Sequence, residues 1–135
     1  MSTNFRNKYL VNTVRIFLGL FMIFSGVSGM WMANQDLSTI DPSMMPPELI
    51  PIMQALLDTG IFHMIKITET VAGLMLVANF LPALAAIFLA PVFVGVVVYN
   101  VMVAPQNLLF GIVFALLNAY LGYVYWDKYK ALFTK

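Results

Sequence analysis

Lys66 and Glu69 stand three residues apart in the stretch His63-Met64-Ile65-Lys66-Ile67-Thr68-Glu69-Thr70, which opens an otherwise apolar run. At the helical period, i and i+3 are neighbours, so the ammonium and the carboxylate share one helix face. Ionised groups are expensive in hydrocarbon and are usually paired, so such a pair inside an apolar helix marks a candidate functional site. A carboxylate beside a lysine can bind a polar head group, or take and release a proton as water gains access, which suits quinone or small-acid chemistry. The same pair can also serve as a self-neutralising staple between helices, with Thr70 and Asn100 as helpers. Both roles stand at this level. His63 is a candidate third group for binding or proton exchange, or a solvated residue at the start of the helix.

These residues need helices to place them. Four apolar segments stand out, near Val11–Ala33, Gly60–Asn79, Pro82–Val103 and Gln106–Trp126, each close to the ~20 residues that cross a bilayer. Asn12 or Thr13 is the expected cap of the first. Pro82 is suited to start a helix and Pro105 to stop one. The links at Asn79-Phe80-Leu81 and Ala104-Pro105-Gln106-Asn107 are short, which forces antiparallel neighbours. The expected fold is all-α, a single domain over residues 1–135, built as an antiparallel four-helix transmembrane bundle. Within the long connection Asn34 to Thr59, the stretch Pro46 to Asp58 repeats apolar residues at Leu49, Ile52, Met53 and Leu56, the pattern of a short interfacial helix or lid.

Composition agrees with a membrane setting. Of 135 residues, 61% are hydrophobic and 10% charged, against roughly 25% charged in ordinary soluble domains; mean hydropathy is +0.89. The net charge of +1 comes without a basic tract, which argues against nucleic acid as a partner. The absence of cysteine rules out thiolate nucleophiles, cysteine zinc sites and thiolate-bound clusters. One histidine also argues against a bis-histidine haem, so no covalent or thiolate-bound cofactor is expected and no metal site is assigned. Arg6, Lys8 and Arg15 precede the first apolar run as in a signal peptide. That run is long for an h-region, and Val27-Ser28-Gly29 and Trp31-Met32-Ala33 match a cleavage site poorly, so it reads as an uncleaved first helix.

Charge sets the expected orientation. Asp36, Asp41, Glu48 and Asp58 lie in the long connection, whereas Arg6, Lys8, Arg15, Lys128, Lys130 and Lys135 flank the two ends. The positive-inside rule then puts both termini in the cytoplasm and the acidic loop outside. At ~1.5 Å per residue, Lys66 and Glu69 fall roughly 9–14 Å inside the outer face. Asn100, Ser25, Ser28, Gln106 and Asn107 should lie in the same half, giving a small polar pocket roofed by the loop, with Asn118 deeper. Arg15 is expected to snorkel to head groups. Gly19, Ser25, Gly26 and Gly29 on helix one, and Gly111, Ala115, Asn118 and Gly122 on helix four, read as helix-packing stripes. Trp31, Tyr123, Tyr125, Trp126 and Tyr129 fit interfacial belts.

The words Lys66-Ile67-Thr68-Glu69-Thr70-Val71-Ala72-Gly73-Leu74-Met75-Leu76, Asn79-Phe80-Leu81-Pro82 and Leu89-Ala90-Pro91 resemble the DoxX-like family of small four-helix bacterial membrane proteins. Arg15-Ile16-Phe17-Leu18-Gly19-Leu20 is similar to its first helix. Two departures stand out. Asn100 occupies the place of a family histidine, and Asn79 that of a frequent arginine. The resemblance implies the bacterial cytoplasmic (inner) membrane and an association with membrane redox assemblies. Three readings follow: an accessory subunit binding a lipid- or quinone-like molecule through Lys66, Glu69, His63, Thr70, Asn100 and Ser25; a quinone-linked oxidoreductase subunit with Glu69 as proton carrier and a redox protein partner; or a structural scaffold. None makes the chain a stand-alone enzyme. Oligomeric state is left open.

Overall fold

A computed structural model describes residues 7–43, 46–102 and 104–133. Arg6 and Lys135, counted among the basic residues at the ends, and Val103, the expected end of the third helix, lie outside them. The described residues are all-helical, with no strand. The α-helices are α1 (Lys8–Ala33), α2 (Ile50–Asp58), α3 (Ile61–Val77), α4 (Pro82–Met102), α5 (Leu108–Val124) and the single turn α6 (Trp126–Tyr129).

α1 starts earlier than expected. Its cap is Asn7, whose side chain accepts from the Tyr9 amide at 2.8 Å. Asn12 and Thr13 are already inside the helix, and the Thr13 hydroxyl donates back to the Tyr9 carbonyl at 2.8 Å. A side-chain acceptor two residues before the first free amide fits better than either later candidate.

α3 is shorter than its apolar run, at 17 residues. Gly60 takes φ +78°, a left-handed conformation open to a residue without Cβ, and the chain turns there by 76° between the Pro47–Asp58 segment and α3. Three helical segments are long and apolar enough to cross a membrane, or four if that bent pair counts as one. α3 ends in a Schellman turn. The Asn79 amide donates to Leu76 O at 3.3 Å and the Phe80 amide to Met75 O at 2.8 Å, with Asn79 at φ +56°. Asparagine tolerates that conformation better than most residues with a Cβ. Pro82 opens α4 as expected. Pro105 begins a 3-10 turn, Pro105–Asn107, that leads into α5 rather than closing α4.

The long helices close on one another: α1 packs most extensively on α3, α3 on α4, α4 on α5, and α5 returns to α1. Leu18, Met22, Ala72, Leu76, Ala85, Leu89, Phe93 and Leu121 fill the space between them. The α1–α3 contact is lined with glycine. A Cβ on Gly73 would lie 2.7 Å from the Gly19 carbonyl oxygen, and one on Gly29 would lie 2.5 Å from Cε of Lys66. The stripe on the last long helix behaves differently at its two ends. Gly111 meets Asn100, but nothing lies within 4 Å of a Cβ at Gly122, so Gly122 is not part of a packing seam.

α2 contacts α3 and the 3-10 turn Leu37–Thr39. None of its residues is fully buried. Two aspartates shape the loop before it. Ser38 donates to Asp36 through its hydroxyl at 2.8 Å and its amide at 3.0 Å, and the Ser43 amide donates to Asp41 at 2.8 Å. These bonds hold both carboxyls below the ordinary aspartate range.

Candidate functional site

Glu69 is 3% exposed, and such a burial demands partners. Lys66 Nζ meets its Oε2 at 3.1 Å, and Ser25 Oγ donates to the same oxygen at 3.0 Å. Lys66 Nζ also lies 3.4 Å from Ser25 Oγ, which closes a triangle between α1 and α3. The absent side chain of Gly29 makes this possible, because the Lys66 stem runs across α1 there. The ammonium also stands 5.4 Å from the centre of the Phe62 ring, within cation–π range. Both described donors converge on one carboxylate oxygen.

Beside this triangle lies a cavity of about 210 Å3. Ser25, Lys66, Glu69, Asn100 and Asn107 give it polar walls, and Phe21, Phe93, Phe110 and Phe114 give it aromatic ones. Phe21 and Phe114 stack with centroids 3.8 Å apart. Asn100 is buried and donates through Nδ2 to the Asn107 carbonyl at 3.1 Å, tying α4 to the start of α5. Charged and aromatic walls in one small space suit a flat or amphiphilic molecule with a polar head.

Of the residues expected to share a site, Lys66, Glu69, Ser25 and Asn100 line this cavity. Thr70 does not. Its hydroxyl donates to the Lys66 carbonyl one turn back at 2.9 Å, at the point where Gly26 lets α1 approach. His63 is also outside, edge-on to Phe62 with ring centroids 6.3 Å apart; at i−3 from Lys66 it sits at the far end of that turn. No described residue of 34–59, the expected roof, is among those lining the cavity. The chain bends by 76° at Gly60, between α2 and α3. Gln106 is exposed and Ser28 bonds to the Ser25 carbonyl at 3.4 Å.

The four phenylalanines were not assigned to the site by sequence, although Phe17 and Phe21, and Phe110 and Phe114, repeat at i, i+4 and so share faces. Arg15 is a second departure. It is 6% exposed, so it does not snorkel. Its Nη1 donates to the Leu76 carbonyl and, at 3.2 Å, to that of Val77, while Nη2 reaches Asn12 Oδ1 at 3.4 Å. Leu76 O already accepts from the Asn79 amide, so Arg15 adds a second donor there and meets the Val77 carbonyl beyond it, while its charge faces the negative end of the helix dipole. Among the described residues, no group of three metal-binding side chains comes together.

The chain matches no protein-family model, no curated protein and no solved structure.

Proposed function

We propose that the chain is a DoxX-like integral membrane protein, an antiparallel four-helix bundle of the bacterial inner membrane with both termini cytoplasmic. In this reading it is an accessory subunit that holds a lipid- or quinone-like molecule against Lys66 and Glu69. The observation that carries it is the 210 Å3 cavity, where a buried carboxylate meets four phenylalanines. Lys66 and Ser25 both bond Oε2, and among the described residues no hydrogen bond reaches Oε1. That oxygen can accept from a hydroxyl head, while the third ammonium proton can donate to a carbonyl. Phe21, Phe93, Phe110 and Phe114 would enclose a ring or chain. The membrane part is supported by the outward faces, where Phe24, Val27, Met64, Val94, Leu109 and Leu116 are all more than half exposed. The family part is supported by the words around Lys66–Glu69 and Leu89-Ala90-Pro91. A quinone-linked role with Glu69 as proton carrier uses the same contacts and adds an electron-donating redox partner.

Glu69→Gln keeps the side-chain shape and removes the charge. In protein purified with its native lipids, with helicity and size unchanged, mass spectrometry should find retained lipid or quinone reduced about ten-fold, the factor for one lost charged hydrogen bond. Undiminished retention would remove the cavity from the argument. The staple reading has its own support in the closed Lys66–Glu69–Ser25 triangle. It expects a double replacement, Lys66→Met with Glu69→Leu, to leave function intact, whereas the binding reading expects loss.

A further inference from the structure

On the far side of Phe93 from Glu69, α4 and α5 leave a second space of about 370 Å3. Its walls are Ala90, Val94, Val97, Val98, Ala115 and Ala119, with Phe93 shared between the two spaces. One polar side chain lines it, Asn118, and that residue is only 6% exposed. Asn118 Nδ2 donates to the Ala86 carbonyl at 3.1 Å, close to the step where Pro91 supplies no amide for the carbonyl of Ile87. That bond fixes the orientation of the amide. Its Oδ1 is then left buried with no hydrogen-bond partner, and an unmet buried acceptor is unfavourable.

We infer that this groove binds an apolar molecule carrying a hydroxyl donor, a long-chain or isoprenoid alcohol or a quinol, with the hydroxyl donated to Asn118 Oδ1. Three occupants compete for the space, and the geometry separates them. A lone water would find a single polar wall, where buried waters need two to four partners. A second copy of the chain would offer this same face, whose one side-chain donor, Asn118 Nδ2, is already turned to the Ala86 carbonyl. A slender hydroxyl-bearing chain can enter, because Ala90, Ala115 and Ala119 leave the floor open. Its tail then lies along Val94, Val97 and Val98. The inference rests on the membrane reading for its supply of apolar molecules, and it is independent of what the Glu69 cavity binds.

The test uses the full chain in lipid nanodiscs with a diazirine-bearing dodecanol and the methyl ether of the same probe. The alcohol should label residues 90–98 and 115–119 about ten-fold more than the ether, the factor for one hydrogen bond to a buried acceptor. Asn118→Leu should bring the two probes to parity. Ala119→Phe, which fills the groove and leaves the Asn118–Ala86 bond alone, should cut labelling by both, and it decides the matter if Asn118→Leu does not fold. Equal labelling of the native chain by alcohol and ether overturns the proposal. So does a preference that survives Asn118→Leu, or a probe-independent dimer through this face that the same substitution abolishes. Glu69→Gln should leave groove labelling unchanged; its loss there would make the groove part of the first cavity and overturn a separate site. Failure to enter nanodiscs would instead count against the membrane reading.

Discussion

Arg15 shows how much a single side chain can be redirected by its surroundings. Its place near the start of an apolar helix suggests a guanidinium reaching for head groups, yet it turns inward to the last carbonyls of α3 and is buried there. Three needs are met at once: the last carbonyls of α3 gain a charged donor, the helix dipole gains a cation, and the guanidinium gains acceptors away from water. Arg15→Met should therefore destabilise the fold by about 2–3 kcal/mol through the lost charged hydrogen bonds to the end of α3, read as a lower melting temperature in detergent. Arg15→Lys should recover part of that loss, since one ammonium reaches fewer acceptors. A melting temperature equal to that of the native chain in Arg15→Met would place Arg15 outside the packing of α3. Glu69 and Asn118 complete the residue scale, as buried polar groups whose described partners leave one oxygen each without a hydrogen bond.

At the scale of elements, the α1–α3 seam is the structural support of the candidate site. Gly26 brings α1 against Thr70 and within 2.8 Å, by a Cβ measure, of the Lys66 carbonyl. Ser25 reaches Glu69 through this approach. Gly26→Ala should separate the helices and destabilise by about 1–3 kcal/mol, the range for overpacking, and it should weaken retention of the bound molecule along with stability. Gly122→Ala provides the contrast. It faces open space on α5, so replacing glycine within a helix should add about 0.5–1 kcal/mol. A thermal unfolding series of the two variants tests the pair, and equal effects would refute the packing assignment. The same comparison explains why a small-residue stripe cannot be assigned from spacing alone: Gly19, Gly26, Gly29 and Gly122 look alike in sequence and differ in what stands opposite.

For the whole molecule, the decisive feature is the apolar exterior. The most apolar windows of α1 and α4 are only 28% buried, so intramolecular packing leaves their outward faces uncovered, a state that lipid accommodates and water does not. The proposed topology can be read directly, because the chain has no cysteine to mask. Thr39→Cys and Lys128→Cys lie at exposed positions in the acidic loop and the C-terminal turn. A membrane-impermeant maleimide should label Thr39→Cys in intact spheroplasts and Lys128→Cys only after permeabilisation. The inverse pattern would reverse the orientation, and labelling of both in intact spheroplasts would refute the three crossings proposed between them.

The helical class, the apolar segments and the face shared by Lys66 and Glu69 were legible in the sequence, because they follow from period and composition, which are local properties. The convergence of Ser25, Lys66, Glu69 and Asn100 was legible too, as helices that cross the same layer in alternating directions bring equal depths together. What only the tertiary structure decided was direction. Thr70 and His63 lie near Lys66 in sequence yet turn away, Arg15 caps a helix 61 residues on, and the chain bends by 76° at Gly60. Each outcome depends on which unpaired group or open space lies opposite a side chain, and that is fixed only when helices distant in sequence meet.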